Sequence, residues 1–91
     1  MTGAQAVKIA KALADPTRLR LVQRLRTRGE MTCSDACELC SQSQPTVSHH
    51  IKTLANAGVI SVRRRGAFHV LRLNAGAMAA FVKVVGDGRR R

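Results

Sequence analysis

Ninety-one residues make one small domain, too short for a separate catalytic domain or a large barrel. The apolar fraction of 45% is ample for a core, yet aromatics are only 2%, Phe68 and Phe81, so aliphatic side chains must fill it and base stacking on single strands has almost no material to work with. Sixteen Lys plus Arg against five Asp plus Glu give a formal charge of +11, which points to a polyanionic partner, nucleic acid first.

Residues 1–91 read as a single domain, with 86–91 a flexible basic tail ending in Arg89, Arg90 and Arg91. Most of the basic residues precede that tail, so the excess charge belongs to the folded body. No run of about 18 apolar residues is present and no charged segment leads into an apolar one, so no membrane partner and a cytoplasmic location are expected.

Residues Ala4 to Leu13 carry Ala6, Ile9, Ala10 and Leu13 at helical spacing, which predicts a first amphipathic helix. Asp15 can cap a second helix, with Pro16 at its first position, Leu19, Leu21, Val22 and Leu25 inward and Gly29 at its end. Its outer face holds Arg18, Arg20, Arg24, Arg26 and Arg28, the pattern of a solvated helix face. Ser34 reads as the cap of a short third helix, Asp35 to Ser41. The stretch "PTVSHHIKTLANAG" then opens on Pro45 in a first turn and closes on Gly58. Val47, Ile51 and Leu54 form its buried stripe, and Pro45, His49, Lys52, Thr53 and Asn56 point the other way. His50 is rotated toward the stripe, as a packed residue of the helix shoulder. A short helix, a tight turn and a longer helix with a polar face is the helix-turn-helix pattern. "VISVRRRGAFHVLRL" alternates on both sides of Arg65-Gly66-Ala67 and predicts a β-hairpin with a basic tip. Asn74 caps a last helix with Met78, Phe81, Val82 and Val85 on one stripe.

The sum is a mainly α fold with a β-hairpin, a winged helix-turn-helix of about five helices and a two- to three-stranded wing. The N-terminal part of the second helix of such a motif enters the major groove, where Ser43, Gln44, Thr46, Ser48, His49 and Lys52 are the candidate DNA contacts. Gln44 is suited to pair with adenine in a bidentate way. Arg63, Arg64 and Arg65 at the wing tip suit phosphates or an adjacent minor groove.

"ALADPTRLRLVQRL", "SQPTVSHHIKTLANAGVI" and "RRRGAFHVLRLN" resemble the ArsR-SmtB family of winged-helix repressors, over nearly the whole chain from Ala12 to Asn74. The resemblance implies a homodimer formed by the first and last helices, bound to a palindromic operator in double-stranded DNA and released by an inducer, with Met31-Thr32 adding a third strand to the wing. The apolar stripes of the first and last helices support dimerisation independently, against the alternative that both simply cap the monomer core.

All three cysteines lie in "CSDACELC". The chain is too short for the barrel of a radical enzyme with such a spacing. Family sensors place an arsenic- or metal-binding cysteine cluster in this helix, which makes Cys33, Cys37 and Cys40 candidate ligands for arsenite or a thiophilic metal ion. Cys37 meets the last cysteine of the family's C-x-C-x2-C pattern, whereas Thr32 and Ser34 stand at the other two positions. Three readings stay open: buried packing on one helical face, a metalloid or metal sensor, and thiol redox sensing with Cys33 as the nucleophile near a helix N-terminus. A three-thiol site requires Cys33 to precede the helix and fold back. The family's other metal site has no counterpart, because "NAGAMAAFVKVV" offers no His, Cys, Asp or Glu. No paired carboxylates, oriented His or phosphate loop point to an enzyme. The rivals to a sequence-specific repressor are a repressor without a cysteine sensor, a sequence-neutral nucleic-acid-binding protein and a small metal-binding protein.

Overall fold

The computed structural model describes residues 1–86; the expected basic tail lies outside the described residues, except Gly86, which closes the last helix. Helix α1 spans Gly3–Leu13 and starts with a reciprocal cap, in which the Gln5 N–H donates to Thr2 Oγ1 (3.1 Å) and the Thr2 N–H to Gln5 Oε1 (2.8 Å). Helix α2 spans Pro16–Arg28, with Asp15 accepting from the Arg18 N–H at 3.0 Å and Pro16 in the first turn. Gly29 ends it at φ 90°, a conformation that costs other residues steric strain. Strand β1, Glu30–Thr32, runs straight into α3, Cys33–Cys40.

The cap of α3 is Thr32, two residues earlier than the expected Ser34. Asp35 answers at the third position, and the two residues exchange backbone-to-side-chain bonds of 3.0 Å. A threonine followed three residues on by an acid satisfies two orphan N–H groups at once, whereas Ser34 lacks such a partner. Ser41, left-handed at φ 51°, closes α3, and Ser43 caps α4, Gln44–Asn56. Strands β2 (Ile60–Arg65) and β3 (Phe68–Leu73) form the hairpin, and β1 pairs with β3 to give the sheet order β1-β3-β2. Gly66, at φ 62°, takes the first central position of the two-residue turn, which needs a positive φ. The last helix, α5, spans Ala75–Gly86. Asn74 fastens its start: Oδ1 accepts from the Ala77 N–H, and Nδ2 donates to the Gly58 carbonyl.

The core is aliphatic. Ile9 and Ala12 of α1, Leu21, Val22 and Leu25 of α2, Ala36 of α3, and Val47, Ile51 and Leu54 of α4 pack with Met31, Val59, Ile60 and Leu71. Leu19 is exposed rather than inward, and Ala12 replaces Ala10 as the third inward residue of α1. Arg18 also departs from the solvated face expected for it, and is half-buried. On α5, Met78 and Phe81 rest against the core, but Val82 and Val85 stay exposed.

Burial separates two leucines of similar sequence appearance. Leu54→Ala is expected to cost about 2–5 kcal/mol in a denaturant melt, and Leu19→Ala less than about 1 kcal/mol. The caps carry a pH signature. Hydrogen bonds to the Arg18 and Thr32 N–H groups, respectively, hold the Asp15 and Asp35 carboxyls below their ordinary value of 3.8. A carboxyl whose folded value is depressed contributes stability above its unfolded value and loses it as pH falls through the folded one. Acid unfolding followed by circular dichroism should therefore weaken the fold below about pH 4. The double variant Asp15→Asn, Asp35→Asn, which keeps capping groups without the charge, should flatten that dependence.

Candidate nucleic-acid interface

Helix α4 has two unlike faces. Val47, Ile51 and Leu54 are buried, whereas Ser43, Gln44, Thr46, Ser48, His49 and Lys52 are all exposed, as are Pro45 and Asn56. Burial of the stripe leaves the opposite side of the helix bare for a partner. The Ser43 and Thr46 hydroxyls lie 2.9 Å apart, and Ser43 Oγ accepts from the Thr46 N–H at 3.4 Å, so these two side chains partly serve the cap. Gln44, Ser48, His49, Lys52 and Asn56 are exposed polar groups of α4 that carry no capping duty. The turn before α4 also touches α2, where Gln42 Nε2 donates to Thr17 Oγ1 at 3.5 Å.

The wing tip divides its three arginines between two faces. Register places Arg63 opposite Val70 and Arg65 opposite Phe68, and Arg64 opposite His69. Neighbours along a strand point to opposite sides. Arg63 and Arg65 therefore share the face of Arg72, and these three line a surface hollow with Ser61 and Asn74. Arg65 is held in a forked ion pair with Glu30 of β1, at 2.8 and 3.4 Å. That hydrogen bonding, with the charges of Arg65 and Arg72, holds the Glu30 carboxyl below its ordinary value. Arg64 Nε donates to the Gly66 carbonyl at 3.2 Å. The Arg65–Glu30 pair joins residues far apart in the chain, and no local pattern signals it.

A helix-turn-helix domain model matches residues 13–63. The chain is 33% identical over 84 residues to the arsenical resistance operon repressor of Escherichia coli, covering 92% of this chain and 72% of that one. A crystal structure of an ArsR family transcriptional regulator superposes with a TM-score of 0.86 at 26% identity, covering 98% of this chain and 91% of the other. The homodimeric winged helix-turn-helix DNA-binding domain of a Mycobacterium bovis protein follows at 0.76 and 25% identity, with 97% and 83% covered.

The chain belongs to the ArsR family of transcriptional regulators. Members of the ArsR family are DNA-binding transcriptional regulators rather than enzymes. The fold is the winged helix-turn-helix expected, with the third strand supplied by Glu30–Thr32.

The ArsR-like cysteine segment departs from the expectation in its first turn. Because Thr32 is the cap, Cys33 is already the first helical residue and does not precede the helix. At 1.5 Å per residue, Cys33 and Cys40 lie about 10 Å apart along the axis, too far for one metal ion to bind both. Among the described residues no three or more His, Cys, Asp or Glu side chains are grouped to hold a metal ion, so the three thiols do not fit a single three-ligand site in this conformation. Cys33, Cys37 and Cys40 are each half-buried against the core, where cysteine packs as a small hydrophobe. Cys33 and Cys37 also line a hollow with Ser34, Glu38 and Gln44. Burial, with the neighbouring Cys37, pushes the Cys33 thiol up, which opposes the activated nucleophile expected at a helix start. Burial raises Cys40 as well, partly offset by Arg20.

Both shifts predict sluggish thiols. Iodoacetamide labelling of Cys33 and Cys40, read by mass spectrometry, should be slow at pH 7 and accelerate above about pH 9. Rapid labelling at neutral pH would contradict that environment.

Proposed function

We propose that the protein represses transcription as a homodimer on a palindromic operator, with α4 in the major groove and the wing on the adjacent backbone. The bare polar face of α4 beside a basic hairpin carries this reading. Gln44, Ser48 and His49 read base edges, with Ser43 and Thr46 contributing beyond their capping role, and Lys52 meets a phosphate. Arg63 and Arg64 reach phosphates directly, and Arg65 does so by exchanging Glu30 for the DNA backbone. Such a protein works where DNA is, in the cytoplasm.

Dimerisation through α1 and α5 is supported by the exposed Val82, Val84 and Val85 of α5 and Val7 of α1, apolar side chains that a partner subunit would cover. The homodimeric Mycobacterium bovis domain has the same architecture. In such a dimer the two reading helices lie about 34 Å apart, one turn of DNA.

For the cysteines, packing is the reading we favour, because all three contact the core and they do not group around one point. The identity to an arsenical resistance repressor motivates a direct test of the other. The experiment is fluorescence anisotropy of the reduced protein on the DNA upstream of its own gene, with arsenite, zinc and an oxidant added in turn. Release by one agent that vanishes in Cys37→Ser would make this segment the sensor, and tight binding indifferent to all three supports packing. Binding with no preference over scrambled competitor would defeat the repressor reading in favour of a sequence-neutral binder.

On the same DNA, Gln44→Ala is expected to lose about 1–3 kcal/mol of discrimination at one base position. Replacing Arg63, Arg64 and Arg65 together by Ala should instead weaken binding to all sequences and flatten its salt dependence, by about 0.9 in log–log slope for each phosphate no longer neutralised.

A further inference from the structure

Among the described residues, His50 is the polar or charged side chain that is buried, at 8% exposure, and it lies in the middle of α4. Its Nδ1 is 3.2 Å from Arg18 Nη1 and 3.9 Å from Asp15 Oδ2. Arg18 Nε donates to the Ala12 carbonyl at 2.6 Å, and Asp15 Oδ2 accepts from the Arg18 N–H at 3.0 Å. One guanidinium thus ties the end of α1, the start of α2 and the centre of α4. A guanidinium only donates, so in this hydrogen bond Nδ1 is the acceptor.

We propose that His50 and Arg18 are positioning residues for DNA reading: their hydrogen bond sets the rotation of α4 about its own axis and so the direction in which Gln44, Ser48 and His49 point. The proposal rests on α4 being the reading helix. The apolar stripe holds α4 against the core, but the driving force of aliphatic burial is itself non-directional. His50 stands about 60° to one side of Val47, at the edge of the stripe, where a directional bond resists turning. The lever is long. At a side-chain radius of about 5–6 Å, a 20° rotation displaces a tip by about 2 Å, enough to break a bidentate contact with a base. Arg18 is suited to the task because its Nε and Nη1 serve two acceptors at once, which a lysine ammonium on a flexible stem does not reproduce.

The test uses the full chain and three variants. His50→Leu keeps bulk but removes the acceptor. His50→Asn places Oδ1 close to where Nδ1 stood and restores it. Arg18→Lys keeps the charge but not the fork. Each is titrated by anisotropy against the preferred upstream duplex and against a scrambled duplex of equal length, with a thermal melt as control. His50→Leu and Arg18→Lys are expected to bind scrambled DNA as the parent does while the ratio of specific to non-specific affinity falls about tenfold, as it would if one base pair were no longer read. His50→Asn should recover most of that ratio. An unchanged ratio in folded His50→Leu, or His50→Asn behaving like His50→Leu, would overturn the proposal. If His50→Leu does not fold, the folded Arg18→Lys decides alone, and an unchanged ratio there sinks it. A parent protein without any preference between the duplexes would instead remove the reading-helix assignment itself.

Discussion

The fold depends on one unequal partition: α4 must bury one side completely and leave the other bare. Val47 and Leu54 are fully buried, yet Ser48 and His49 beside them are exposed. Every other element serves that partition. Helices α1, α2 and α3 and the strand residues Met31, Ile60 and Leu71 close around the stripe, and none covers the polar side. With both phenylalanines outside the fully buried core, the contacts are made by branched aliphatic side chains, whose few rotamers give a small domain a defined interior.

Electrostatics follow a similar division of labour. Asp15 caps α2 and lies beside His50, Asp35 accepts from the N–H of Thr32, the cap of α3, and meets Arg28 at 3.6 Å, and Glu30 holds Arg65. Among the described residues, the carboxylates of Asp15, Glu30 and Asp35 are thus engaged within the fold. The surface that remains is strongly basic, and it attracts a polyanion before any specific contact forms.

Much of this is legible locally. Asp15-Pro16, Gly29 and the pair Pro45 and Gly58 mark helix ends by rules that act within one turn, and the structure follows them. The alternation around Gly66 likewise marks the hairpin, and the candidate contacts of α4 are exposed as its periodicity requires. The departures arise where a distant partner decides the outcome. Arg18 sits in a run of arginines that reads as a solvated face, and the Ala12 carbonyl together with His50, 32 positions away, draws it inward. Arg65 reads as a free tip residue until β1 brings Glu30 beside it. Thr32 reads as a strand residue, and it is one, but it caps the next helix as well. The cysteines show the limit of spacing as a guide. A shift of two residues in the cap decides whether Cys33 can fold back, and no pattern of thiols reveals that shift.

The double duty of Thr32 also has a mechanical side. It ends β1 and begins α3 with no residue between them, and β1 is paired along β3 of the wing. The helix-turn-helix and the hairpin are therefore joined without slack, like the two jaws of a fixed-gauge caliper. In the proposed complex, a duplex gripped by both would have to bring its groove and backbone to a spacing the protein sets. Sequences that bend or narrow easily would meet that gauge at lower cost, so selectivity would extend to base steps no side chain touches.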